Sequence, residues 1–147
     1  MRRIILVIMA AVSVARPLAA GAAGDKPLDV SQLPEAARQT VDTHFGDKTV
    51  ALATVESTLA DKSYDVVFTT GEKVEFDKKG NWTEVDCGTG AVPAYFIPAE
   101  IASYVEAKFR GQSIVKIEKE SRGEYEVELS GGVELTFDKK FRLIDID

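Results

Sequence analysis

The chain has 147 residues, 18 Lys+Arg against 24 Asp+Glu, one His and one Cys, with 45% of residues apolar, 29% charged and a formal net charge of −6. This is the composition of one ordinary globular domain, or of two very small units sharing a core. A negative chain has no electrostatic attraction for phosphate backbones, so nucleic acid is not an expected partner. A single Cys excludes an internal disulfide and a multi-thiolate zinc site, and a single His excludes a multi-imidazole metal centre.

Met1-Arg2-Arg3 is a short positive start, followed by an apolar run from Ile4 to Ala15 that is too short to span a bilayer. Pro17 and a small-residue stretch containing Ala20-Gly21-Ala22 come next. Together these features predict a secretory signal peptide over residues 1–22, and hence a periplasmic or secreted protein with no membrane span after cleavage. No Cys follows the apolar run, which excludes a lipoprotein anchor. Loss of Arg2, Arg3 and Arg16 would take the formal charge to about −9.

Residues 23–32 form a lead-in, after which the sequence is written twice. Leu33-Pro34 matches Ile97-Pro98, Val41 matches Val105, and Phe45 matches Phe109, at a spacing of 64 residues. The spacing then becomes 61, and Tyr64 matches Tyr125, Val66 matches Val127, and Gly71 matches Gly132. The block Phe76-Asp77-Lys78-Lys79 returns as Phe137-Asp138-Lys139-Lys140. The organisation read from this is a first repeat over 33–87, a linker over 88–96 and a second repeat over 97–147.

Each repeat opens with a helix. Leu33, Ala37, Val41 and Phe45 recur every four residues, as do Ile97, Ile101, Val105 and Phe109, giving one apolar stripe per helix. Four strands follow. Tyr64, Val66 and Phe68 alternate with polar residues, and so do Val74 and Phe76, then Tyr125, Val127 and Leu129, then Leu135 and Phe137. Such alternation marks half-buried strands with one apolar and one polar face. The expected fold is therefore α+β: a tandem duplication of a helix plus four antiparallel strands, forming one roughly eight-stranded antiparallel sheet with both helices on one face. The second copy has Phe141 where the first has Gly80, so its last turn is expected to be shaped differently.

The twice-written pattern of Leu/Ile-Pro, a helix ending in Phe, Tyr-x-Val, Gly, Phe-Asp-Lys, and Val85-Asp86-Cys87 before the linker resembles the exported PepSY-like proteins of Bacteroides-type bacteria. The resemblance covers roughly residues 30–147. It implies a fold grouped with the β-lactamase-inhibitor protein, and a binding or inhibitory module without catalytic residues, cofactor or established ligand.

The chemically interesting side chains have structural explanations. Cys87 lacks an adjacent base, and Asp86 beside it raises a thiol pKa. His44 corresponds to Lys108, both near a helix C-terminus, where the dipole favours positive charge. Asp77 and Asp138 open turns in which lysines stand where calcium ligands would be needed. The sequence leaves open whether Trp82 faces the core or the surface.

The polar sheet face is the expected place of function: Asp65, Val67, Thr69, Lys73 and Glu75 in the first repeat, Glu126, Glu128, Glu134 and Thr136 in the second. The expectation is a non-enzymatic module, a monomer or weak dimer, that binds a protein or peptide of the cell envelope through this face or through an edge strand. The alternative is an envelope protein that binds a small molecule or cation. No catalytic, cofactor or metal residue is expected.

Overall fold

Alternation of apolar and polar residues builds a single sheet in the computed structural model, which describes residues 25–147. In chain order the elements are β1 (Asp25–Pro27), a 3-10 turn (Val30–Gln32), α1 (Glu35–Phe45), β2 (Val50–Ser57), β3 (Lys62–Phe68), β4 (Lys73–Asp77) and β5 (Trp82–Asp86). A second 3-10 turn (Ala94–Phe96), α2 (Ala99–Lys108), β6 (Ile114–Lys119), β7 (Tyr125–Leu129), β8 (Glu134–Phe137) and β9 (Leu143–Ile146) complete it. The sheet is antiparallel throughout, and its spatial order is the order of the sequence. The expected signal peptide, 1–22, lies outside the described residues.

The sheet has nine strands, which corrects the expectation of roughly eight. The extra strand is Asp25–Pro27, taken from the sequence as lead-in, and it pairs with β2 through Asp25↔Glu56 and Pro27↔Thr54. Pro favours an extended residue before it and is tolerated at a sheet edge, where its missing N–H is not needed.

One apolar row runs across six strands: Val66, Val74, Val85, Ile117, Val127 and Leu135 are register partners in turn, and all are fully buried. Ala37, Val41 and Phe45 of α1 and Ile101 and Val105 of α2 belong to the same buried cluster. Phe45 stacks on Phe68 with ring centroids 5.0 Å apart, and Tyr104 of α2 meets Phe137 edge-on at 5.5 Å. Burying each of these large side chains contributes roughly 1.5–3 kcal/mol, so this row and the helix side chains clustered with it are the main source of stability.

Register irregularities occur in both halves of the sheet. An extra residue enters the ladder between Val50 and Leu52, and again between Ile114 and Lys116. The register also shifts at Glu75/Phe76 and at Thr136/Phe137. Each such bulge adds one residue to one strand and reverses the face on which later residues fall.

The turns after β4 and β8 are alike, contrary to expectation. Asp77 Oδ1 accepts from the backbone N–H groups of Lys79 and Asn81 at 2.9 and 3.0 Å. Asp138 Oδ1 accepts from those of Lys140 and Arg142 at the same two distances. Gly80 takes φ 85°, and Phe141 takes φ 61° at the matching place, so the second turn keeps the shape without the glycine.

Candidate binding face

The side chains that alternate with the buried row form two parallel rows on the polar face. The first runs Asp65, Glu75, Glu84, Glu118, Glu126 and Thr136, each directly opposite the next on the neighbouring strand. The second runs Val67, Lys73, Asp86, Lys116, Glu128 and Glu134. Five consecutive strands thus each place a carboxylate in one line, about 19 Å long at the usual strand spacing. Like charges placed opposite each other across a ladder oppose folding. Two lysines offset part of that repulsion. Lys73 Nζ lies 3.6 Å from Asp65 Oδ2 and 3.8 Å from Glu75 Oε2. Lys116 Nζ lies 3.8 Å from Glu84 Oε2 and 4.0 Å from Glu118 Oε2.

The electrostatic strain is recorded in the acids. Burial, then the charges of Glu84 and Glu120, push the Glu118 carboxyl up to about 7. Burial and Asp65 raise Glu75, and burial and Glu134 raise Glu126. Burial works to lower both lysines, but the surrounding carboxylates outweigh it and shift Lys73 and Lys116 upward. The lysines are therefore fixed cations within a field of excess negative charge.

Of the residues expected on this face, Asp65, Val67, Lys73, Glu75, Glu126, Glu128, Glu134 and Thr136 lie in the two rows. Thr69 does not. It sits in the turn beyond β3, with its N–H donating to the Thr49 carbonyl at 2.9 Å. Sequence reasoning missed Glu84, Asp86, Lys116 and Glu118, which complete the rows on β5 and β6. The bulge that buries both Ile114 and Val115 breaks the alternation of β6, and the extra residue Thr83 breaks that of β5.

The family described as beta-lactamase-inhibitor-like and PepSY-like, in provisional terms, matches residues 62–145. The chain belongs to the PepSY-like family. Among solved structures, it is similar to a protein of Bacteroides thetaiotaomicron provisionally described as calcium-regulated and periplasmic, with 53% identity and a TM-score of 0.80 over 84% of this chain and 96% of that one. It is also similar to two proteins of Bacteroides vulgatus provisionally described as periplasmic. One is 50% identical, with a TM-score of 0.81 over 86% of this chain and 99% of that one. The other, of unknown function, is 39% identical, with a TM-score of 0.79 over 84% and 99%. No curated protein matches the sequence. This PepSY-like protein is periplasmic, as its N-terminal sequence predicts and as its relatives are described.

The remaining candidates in this PepSY-like chain do not assemble into a reactive centre. Cys87 packs against the core, and burial, then Glu72 and Asp86, push its thiol up to about 11. The His44 ring stacks on Tyr95 at 3.9 Å. Trp82, whose side the sequence leaves open, lies on the buried side of the sheet, half-covered, with its ring edge-on to Phe96 at 5.3 Å. Among the described residues, no group of His, Cys, Asp and Glu side chains has the arrangement to hold a metal ion, and no helix is long and apolar enough to cross a membrane.

Proposed function

We propose that this protein is a non-enzymatic periplasmic binding module made of two copies of one unit, 33–87 and 97–147. In this reading both helices cover one face of the sheet and the opposite, acidic face docks a cationic protein or peptide of the envelope. The matched spacing of helices, strands, bulges and Asp turns supports the duplication. One observation carries the binding reading: the line of Asp65, Glu75, Glu84, Glu118 and Glu126 across five strands, with Lys73 and Lys116 set against it. Such a line resists folding unless something of opposite sign is gained from it, and a positively charged partner removes the repulsion on arrival. The upward shift of Glu118 has the same meaning, because a cation placed beside it would return the carboxyl to its charged form.

A second reading, weak cation binding by the same carboxylates without a preformed metal site, is favoured by the relative described as calcium-regulated. Both readings are tested with the variant Glu118→Lys/Glu126→Lys. Cross-linked capture from periplasmic extract should recover a basic partner with the native chain and lose it with the variant, while thermal stability is kept. Recovery of the same proteins by both chains would defeat the first reading. Saturable calcium binding by calorimetry, abolished by the variant and unaccompanied by any captured protein, would establish the second.

A further inference from the structure

On the buried side of the sheet, where the two repeats meet, lies a groove of about 520 Å³. Thr40 and His44 of α1, Asn81 and Trp82 at the start of β5, Tyr95 of the second 3-10 turn and Lys119 of β6 line it. Its chemistry is unlike that of the acidic face. Lys119 Nζ sits 3.7 Å from the centroid of the Trp82 ring, a cation–π contact. The other partly buried lysines, Lys48, Lys73 and Lys116, each have a carboxylate oxygen within 4 Å. Lys119 has no carboxylate at ion-pair distance among the described residues, and burial lowers its pKa from the ordinary value against the opposing charge of Asp77. A half-buried ammonium that touches no carboxylate, with Asp77 acting on it only as a nearby charge, is the kind of group that an incoming anion would stabilise.

The walls beside that cation are aromatic. Tyr95 is 66% exposed although its ring is stacked on His44, so a large flat surface is held in place and left uncovered. Phe96 supports it from beneath, meeting Tyr95, His44 and Trp82 edge-on at 5.1–5.3 Å. The ring cluster therefore presents a fixed aromatic shelf that does not have to be ordered on binding. Thr40 and Asn81 add hydrogen-bonding groups at the rim. The volume is that of a site for a small organic molecule. The groove also has no counterpart in the second repeat, where Leu143 stands at the position of Trp82. It exists only because α1 and β5 meet β6 and the 3-10 turn of the linker, Ala94–Phe96.

The geometry points to a second binding site here, one that takes an aromatic carboxylate: the carboxylate pairs with Lys119 and the ring lies on the Tyr95–His44 shelf. It is independent of the acidic face and opposite to it in charge preference. Two sources share this chemistry, free aromatic acids and peptides ending in an aromatic residue.

Trp82 is the only tryptophan of the chain, so its fluorescence reports on this groove alone. Phenylacetate should change Trp82 emission saturably, with a dissociation constant on the order of 1 mM. Added salt should weaken it, and phenethylamine, with the charge reversed, should have no saturable effect. Lys119→Gln and Tyr95→Ala should each weaken phenylacetate roughly tenfold. Tighter binding of acetyl-Gly-Gly-Phe than of phenylacetate would assign the site to peptide C-termini, and the reverse order to free acids. No saturable response to either probe at tens of millimolar would overturn the proposal. So would equal binding of phenethylamine, or salt-independent binding by the native chain.

Discussion

Phe141 holds, at φ 61° in the turn after β8, the position that Gly80 holds at φ 85° in the turn after β4. A left-handed conformation costs a residue with a Cβ roughly 1–2 kcal/mol. The Phe141 ring offsets that cost by packing beside Tyr125, 5.7 Å away between centroids. Gly80 has no such freedom. A Cβ there would stand 2.8 Å from Pro34 Cβ and 2.9 Å from the Ala37 nitrogen, at the start of α1.

Substitutions at these turns should therefore rank in an unusual order. Gly71→Ala, at φ 99° in open space, should cost about 1 kcal/mol in urea unfolding, and Gly80→Ala at least about twice that. At Phe141 the ring is lost either way, so Phe141→Gly should be more stable than Phe141→Ala by about 1 kcal/mol. Equal midpoints for the last pair would mean that Phe141 is not strained.

Stability should fall as pH rises from about 4.5 to 7. Folded Glu118 keeps its proton to about 7, whereas an unfolded glutamate releases it near 4.3, so between those values the native state binds the additional proton. Glu75 and Glu126, also shifted upward, act in the same direction. Asp29, Glu72 and Asp138 are shifted downward and oppose this trend only in more acidic solution. Calorimetry across pH 5–8 should show a declining melting temperature, and Glu118→Gln should flatten the decline and raise the melting temperature at pH 8. An unchanged slope in the variant would remove Glu118 as its source.

The Cys87 thiol should be sluggish. With its pKa near 11, its thiolate fraction at pH 8 is on the order of 100-fold below that of an ordinary cysteine, and maleimide labelling of the native protein should be slower by about that factor. Labelling at the rate of a free thiol would show that Cys87 is more open than its packing implies.

Val85 and Ile117 face each other where β5 pairs with β6, both fully buried. Ile117→Ala should cost about 2–5 kcal/mol, as other deletions in a closed core do. Because the apolar row is continuous, the loss should appear as one cooperative transition at a lower denaturant midpoint. A separate, earlier transition for half of the molecule would show that the repeats unfold independently.

Much of this architecture was legible because Val66, Val74, Val127 and Leu135 lie in uninterrupted alternation, and their partners on the polar side follow by parity. β1 was not legible, since Asp25-Lys26-Pro27 buries no side chain and so offers no apolar alternation to read. Trp82, Lys116 and Glu118 were obscured by a different cause. Thr83 and Val115 are the extra residues of bulges, and one extra residue reverses the parity on which any assignment of face depends. The groove beneath Tyr95 could not be read at all, because it joins residues far apart in the chain whose proximity depends on how β5 meets β6.

The sheet's spatial order has a consequence for how the molecule comes into being. Every strand pairs with the strand that precedes it in the chain, and the longest excursions, from β1 to β2 and from β5 to β6, each enclose only a short helix and its turns. Loop closure is then inexpensive in entropy at every step, and contacts of low sequence separation form quickly. A polypeptide emerging from a membrane N-terminus first could add each strand to an edge already present, without waiting for its C-terminus.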